Sequence, residues 1–385
     1  MASPDTIAEL RTVLHTREYV GGLTHGFYRY PARFSPAFVR AAISSFSRPG
    51  DTILDPFVGG GTTVVEALTA GRRAIGVDLN SLAVFLARVK TTPLTAAEKG
   101  DVLDWLHEYS ACSDQLERSN QWSDGYGKAV PRRIQSLVRK GLLLANRLPP
   151  RAEGFARAVL LRVSQWALDG KEKLPTTKGF VQAIDDRARE MLTQLDEFTG
   201  QLRETGIESP SRISRARRLV RRDAAELGRE DLPLGWRRPR LVVTSPPYMG
   251  VHVLYNKWQV RGRRETKFPY AVSGTVDGYH ASHYTFGARH RETEFYQSRL
   301  VASFRAIRGL MAKEGLVIQL VSFARPEAQL PLFLAAMEDA GFEEQLPPSR
   351  RRIWRPVPNR KWYVRTRAAA VPHSREVLLM HRPVS

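Results

Sequence analysis

One cysteine, Cys112, stands in a chain of 385 residues. That excludes an intramolecular disulfide framework and any cysteine-built zinc cluster. Cys112 also lacks a preceding proline, so the Pro-Cys setting for thiolate attack on cytosine C5 is missing. Long apolar runs are missing too. The longest, around Leu316 to Phe323, has the size of a buried strand and not of a membrane span. Residues Met1 to Arg17 are polar and carry no signal-peptide core, so a soluble, cytoplasmic protein is expected. The histidines His25, His252, His280, His283 and His290 show no metal-ligand spacing, and no metal is expected. Acidic residues are few beside basic ones: 39 Asp and Glu against 59 Lys and Arg leave a net charge of +20. Such a field attracts polyanions, of which nucleic acid is the commonest.

What remains is an ordinary globular composition, 42% hydrophobic and 25% charged, in a chain long enough for an α/β core and a second, smaller domain. Ser35 to Phe46 reads as a short amphipathic helix. A βαβ unit follows: strand Thr52–Leu54, a glycine-rich turn, helix Thr62–Ala70, strand Ala74–Val77 and helix Ser81–Lys90. From 96 to 213 strand patterns vanish, and the texture is helical and rich in Arg, Glu, Leu and Gln. This divides the chain into 1–95, a helical insertion at 96–213, and 214–385. Strand patterns return at Arg217–Arg222 and Arg240–Val243, before a loop-rich stretch from Met249 to Arg291. Helix Phe295–Met311, strand Leu316–Phe323, helix Leu330–Ala340 and strands Trp362–Thr366 and Glu376–His381 complete the pattern.

Two turns carry chemistry. In the first, Asp55-Pro56-Phe57-Val58-Gly59-Gly60-Gly61-Thr62, glycines let the backbone turn tightly and approach a ligand with no Cβ in the way. Asp78, about twenty residues on at the end of the next strand, is placed to accept hydrogen bonds from a ribose diol, as in other nucleotide-binding βαβ units. The spacing is not that of the dinucleotide fingerprint. Asp55 would repel a pyrophosphate but suits the ammonium of a methionine moiety.

In the second turn, Ser245-Pro246-Pro247-Tyr248, two prolines fix the backbone and leave rigid carbonyls able to accept hydrogen bonds from an NH₂ group. Tyr248 offers a flat ring on which an extruded base can stack.

Together the two turns resemble the amino-methyltransferase family of DNA methylases, which modify adenine N6 or cytosine N4. The first turn matches the family's Asp-Pro-Phe-x-Gly-x-Gly-Thr loop, and the second its (Asp/Asn/Ser)-Pro-Pro-(Tyr/Phe) motif. The segment Tyr30-Pro31-Ala32-Arg33-Phe34-Ser35-Pro36 resembles the family's stretch that closes over the methionine end of the cofactor. Arg222-Asp223-Ala224 resembles its acidic turn after the third strand, where Asp223 meets the adenine amino group. The resemblance implies an α/β fold with a Rossmann-like S-adenosylmethionine-dependent methyltransferase sheet carrying a helical insertion. It places S-adenosylmethionine against Tyr30, Phe34, Ser35, Asp55, Phe57, Gly59, Gly61, Thr62, Asp78, Leu79, Asp223 and Ala224, and catalysis on Ser245, Pro246, Pro247 and Tyr248. The implied partner is double-stranded DNA with the target base flipped out, beside a cognate restriction endonuclease.

The chain departs from the family in having its helical insertion between the second strand and Asp223, which leaves open which segment reads sequence. Ser-Pro-Pro-Tyr leans towards cytosine N4. A guanine-N2 type RNA methyltransferase and a catalytically silent DNA-binding protein stay open as alternatives. Arg261, Arg263, Arg264 and Lys267, interleaved with Tyr255 and Trp258 just after the second turn, are expected to form the floor of a DNA cleft.

Overall fold

In a computed structural model of the protein, the described residues are 3–16, 21–30, 34–111, 125–207, 209–249, 257–261, 264–276, 293–356 and 375–384. Short runs of β-branched and aliphatic residues build the central sheet. Its strands are β1 (Thr52–Asp55), β2 (Arg73–Asp78), β3 (Arg217–Arg221), β4 (Leu241–Thr244), β7 (Leu316–Phe323), β8 (Phe342–Glu344), β9 (Ile353–Pro356) and β10 (Arg375–Pro383). Between β4 and β7 a separate hairpin pairs β5 (Trp258–Val260) with β6 (Arg264–Thr266). The sheet order is β3-β2-β1-β4-β7-β10-β8, with β9 also on β10. The first five strands run parallel, and β10 lies antiparallel to β7, β8 and β9.

Neighbouring residues on each strand point to opposite faces, and both faces are buried, as a parallel sheet requires. Ile53, Leu241, Val243, Ile318 and Leu320 enter one core cluster, while Leu54, Val242, Val317 and Val321 enter a second. The second face is covered by α11 (Thr293–Leu310) and α12 (Pro326–Asp339). The first is covered by α1 (Pro4–His15), α2 (Pro36–Phe46), α3 (Thr62–Thr69) and α4 (Ser81–Lys90). Helices on both faces of a mostly parallel sheet make this a doubly wound, Rossmann-like α/β fold.

The stretch after α4 holds α5 (Ala96–Ala111), α6 (Arg132–Ala145), α7 (Pro150–Leu168), α8 (Thr177–Glu204) and α9 (Pro210–Ala216). Their apolar faces do not form a core of their own. Trp105, Leu137, Phe155, Ile184 and Phe198 belong to the same continuous cluster as Phe27, Val65 and Leu86. Buried polar ends are matched within it: Trp105 Nε1 donates to the Gly141 carbonyl (3.1 Å) and Gln165 Nε2 to the Arg29 carbonyl (3.0 Å). The one buried acid of α3, Glu66, accepts from His25 Nε2 at 2.7 Å and from Arg40 Nε at 2.8 Å. Burial lowers the pKa of His25, so the ring is neutral there.

The stretch from 249 to 291, read from sequence as loop-rich, contains the β5–β6 hairpin and a short helix, α10 (Phe268–Ser273). Helix α12 starts one turn earlier than its apolar period suggests, because Pro326 at its first position is preset for helix entry. The predicted strand Trp362–Thr366 lies outside the described residues. Among the described residues no helix is long and apolar enough to cross a membrane.

Candidate active site

Parallel pairing fixes where the site lies. Strand β1 has β2 on one side and β4 on the other, so the turns leaving Asp55, Asp78 and Thr244 emerge together at the carboxyl end of the sheet. In open α/β sheets this end forms the ligand crevice. The two motif turns are joined directly: Thr244 Oγ1 donates to Asp55 Oδ1 at 2.8 Å.

The glycine-rich turn is held open by its backbone. Gly59 (φ +46°) and Gly61 (φ +80°) take left-handed conformations that favour glycine, and Gly61 serves as the N-cap of α3. A Cβ on Gly61 would stand 2.9 Å from Ala87 Cα, and one on Gly60 would stand 3.0 Å from Tyr30 Cβ. Tyr30, 7% exposed, therefore lies directly against the turn, and Lys90 Nζ donates to the Gly60 carbonyl at 2.7 Å. Phe34 and Ser35 are half-buried just before α2; Pro31, Ala32 and Arg33 lie outside the described residues.

Asp78 organises the floor. Its Oδ2 accepts from Gly59 N–H and its Oδ1 from Asn80 N–H, both at 2.9 Å. Burial nevertheless pushes its pKa up to about 7 and that of the neighbouring Asp55 up to about 6. Asn80 caps α4 through Leu82 N–H (3.0 Å) and accepts from the Tyr270 hydroxyl (3.1 Å). Its Nδ2 is buried with no hydrogen-bond partner among the described residues. Asn80 immediately follows Leu79, the last residue of this segment expected to touch a ligand, so sequence reasoning stopped one residue short. Asp223 follows β3 beside Asp78, whose carbonyl accepts from Arg222 N–H (3.1 Å). Its carboxylate caps the turn through Ala225 N–H (2.9 Å) and pairs with Arg299 of α11. Ala224 is fully buried.

In the second turn, Ser245 Oγ donates its single proton to the Leu320 carbonyl at 2.9 Å. The 2.7 Å contact between Ser245 Oγ and the Tyr248 hydroxyl must then have tyrosine as donor. That leaves Ser245 Oγ one lone pair, so towards a third group it can only accept. Tyr296, buried on α11, donates to the Pro247 carbonyl at 3.0 Å and fixes the turn from behind. An open stacking face is expected of Tyr248 from sequence. Its residue is instead 6% exposed, packed with Met249 and Tyr296 in the second core.

Trp258 also differs from expectation. It is 2% exposed and donates through Nε1 to the Tyr28 hydroxyl at 2.8 Å, so it anchors the hairpin and does not face a DNA cleft. Arg261 and Arg264 are exposed on that hairpin, and Lys267 is half-buried. Tyr255 and Arg263 lie outside the described residues.

Residues 10–88 match the DNA methylase family. Curated relatives align over the same kind of short span. Type II methyltransferase M.MjaII of Methanocaldococcus jannaschii is 36% identical over 93 residues, 24% of this chain and 18% of that protein. Type II methyltransferase M.MvaI of Kocuria varians is 34% identical over 91 residues, 23% of this chain and 20% of that protein. DNA adenine methyltransferase YhdJ of Escherichia coli is 38% identical over 55 residues, 14% of this chain and 19% of that protein. The chain thus aligns with about a fifth of the length of these relatives. An rRNA methyltransferase, AviRa of Streptomyces viridochromogenes, aligns over 92% of this chain and 89% of its own at 10% identity with a TM-score of 0.33, too low to bear on the site.

S-adenosylmethionine is the methyl donor that this family match implies. The residues present fit it: a turn stripped of Cβ atoms, a buried carboxylate at the end of β2, and a buried Asn80 amide donor with nothing to donate to among the described residues. The raised carboxylate pKa values have a consequence. Asp55 and Asp78 hold protons in the folded protein above the pH at which they lose them when unfolded. Stability of the cofactor-free protein is therefore expected to fall as pH rises from about 4 through 7. A cationic cofactor and its ribose favour the ionised forms, so affinity should rise over the same range. Thermal shift with S-adenosylmethionine larger at pH 8 than at pH 5.5 is the expected result; the reverse order would mean that these carboxylates do not face the cofactor.

Proposed function

We propose that the protein transfers the methyl group of S-adenosylmethionine to an exocyclic amino group of a base in DNA, with cytosine N4 as the acceptor in preference to adenine N6. The observation that carries this reading is the Thr244–Asp55 hydrogen bond, which ties the turn suited to an NH₂ group to the turn suited to a methionine moiety.

An exocyclic amine is a poor nucleophile because its lone pair is delocalised into the ring. S-adenosylmethionine supplies an electrophilic methyl on a sulfonium. The turn contributes acceptors: Ser245 Oγ, its own proton committed to Leu320, and the Pro246 carbonyl take hydrogen bonds from the NH₂ and localise its lone pair. With the donor bound, the same acceptors would stabilise the positive charge that methyl transfer places on nitrogen, until that nitrogen releases a proton to water. The rigid prolines and the Tyr296 bond hold them in place beforehand, so little reorganisation is needed. Asp78, Asn80 and the turn at Gly59–Gly61 would hold the ribose and methionine ends, and Asp223 would meet the adenine. The base must leave the duplex to reach the turn, at a cost of roughly a few kcal/mol. Tyr248, buried against the core, would orient Ser245 and wall the base pocket.

The preference for cytosine rests on the serine at the first position of the motif. Incubation of the protein with labelled S-adenosylmethionine and a mixture of duplex DNA and RNA, followed by nucleoside mass spectrometry, should yield N4-methyldeoxycytidine. N6-methyldeoxyadenosine would overturn the base assignment and keep the reaction. Label confined to RNA would overturn the DNA reading altogether.

A further inference from the structure

A cleft of about 580 Å³ opens between the start of α6 and the β5–β6 hairpin. Among the described residues four cations line it, Lys128, Arg132, Arg261 and Arg264, and no carboxylate does. All four are exposed, and none makes a side-chain hydrogen bond or ion pair among the described residues. This sets them apart from their neighbours, for Lys257 on the same hairpin is paired with Glu265 and Arg147 just beyond α6 with Glu108. The walls are built. Thr266 Oγ1 of β6 donates to the Tyr126 carbonyl at 3.0 Å, and Gln135 Nε2 closes the turn before α6 through the Gly127 and Val130 carbonyls at 3.0 and 2.7 Å. Two lining residues, Ala129 (φ +69°) and Arg261 (φ +50°), hold left-handed backbone that side-chain-bearing residues avoid. The N-terminus of α6, whose Pro131 offers no side-chain cap, adds the positive end of a helix dipole to the same wall.

We infer that this cleft grips the sugar-phosphate backbone of duplex DNA, with Lys128 and Arg132 of the helical insertion closing on phosphates from one side and Arg261 and Arg264 of the hairpin from the other. Four cations with neither a partner nor an acid beside them among the described lining residues fit a polyanion with spaced charges better than a carboxylate ligand or a metal. The inference rests on the DNA substrate proposed above and extends it, because it gives the insertion a share in holding DNA. Phosphate contacts of this kind position the duplex without reading sequence.

The test is binding of a fluorescent duplex to the full chain as salt is varied. Each phosphate contact adds roughly 0.9 to the slope of log K against log salt. The variant Lys128→Ala/Arg132→Ala/Arg264→Ala should therefore lose about 2 to 3 from that slope and bind roughly 10- to 100-fold more weakly at 0.1 M salt. Its affinity for S-adenosylmethionine should stay unchanged, which reports that it is folded. A control with equal loss of charge, Arg48→Ala/Arg237→Ala/Lys313→Ala, alters exposed residues in the turns that enter β1, β4 and β7 at the other end of the sheet. It should keep the wild-type slope. An unchanged slope in the cleft variant overturns the inference. If in addition inorganic phosphate protects the wild type alone from heat, the cleft is a site for a small anion. Methyl transfer to DNA by the unaltered protein is read separately. Transfer with an unchanged slope in the variant sinks the cleft alone, and no transfer with a reduced slope sinks the enzyme alone.

Discussion

Titration of Asp78→Ala with S-adenosylmethionine is expected to give a Kd about 100-fold or more above that of the unaltered protein, from two hydrogen bonds to a charged acceptor at roughly 1.5–3 kcal/mol each. The carboxylate has a second task, since it accepts from the backbone of both Gly59 and Asn80. Alanine leaves those two N–H groups without their acceptor, so the glycine turn loosens as the ribose loses its partner. Asp78→Asn separates the two tasks. Its amide oxygen can still accept from one N–H, but its NH₂ cannot accept from the other, and an intermediate Kd is expected. Calorimetry returning wild-type affinity for the alanine variant would place the ribose away from the end of β2.

The second large effect falls on Ser245. Removal of one preorganised polar group from a site where charge develops typically costs about 10²- to 10³-fold in kcat, and Ser245→Ala should lie in that range with little change in KM for the cofactor. Tyr248 is a positioning residue in this scheme, since its hydroxyl acts on Ser245 Oγ. Tyr248→Phe removes one hydrogen bond worth roughly 1 kcal/mol, so a loss of about 5- to 10-fold is expected. The double variant should turn over no more slowly than Ser245→Ala alone, because the tyrosine then has nothing left to orient. Additive losses in single-turnover kinetics would show that Tyr248 touches the base independently, as a stacking platform does.

The βαβ unit was legible in the sequence to within a residue or two. Its strands carry Ile53, Leu54, Ala74, Ile75 and Val77, and its helices are bounded by Gly61, Gly71 and Asn80, so local propensity and tertiary demand agree. The adjacency of the two motif turns follows from the pairing of β1 with β4, which no local pattern displays. Other features were beyond local reading. Arg299 meets Asp223 across 76 residues, and Tyr296 meets Pro247 across 49, with nothing in the sequence of α11 to mark either partner. Trp258 sits among basic and polar residues that suggest a surface. Its interior place depends on the Tyr28 hydroxyl, 230 residues away, taking its N–H. Strands β5, β6 and β8, three residues each, are too short to show a period.

The shared apolar cluster beneath α5 to α8 has a consequence for how such a protein can diversify. A recognition segment with its own interior can be swapped between relatives like a cassette. Here the same leucines and phenylalanines that would support a DNA-facing surface also keep water off α3 and α4, which in turn cover one face of the sheet. Grafting a foreign segment between Lys90 and Arg217 would strip that cover, so new specificity must arise by replacing outward side chains one at a time on a scaffold that cannot be exchanged.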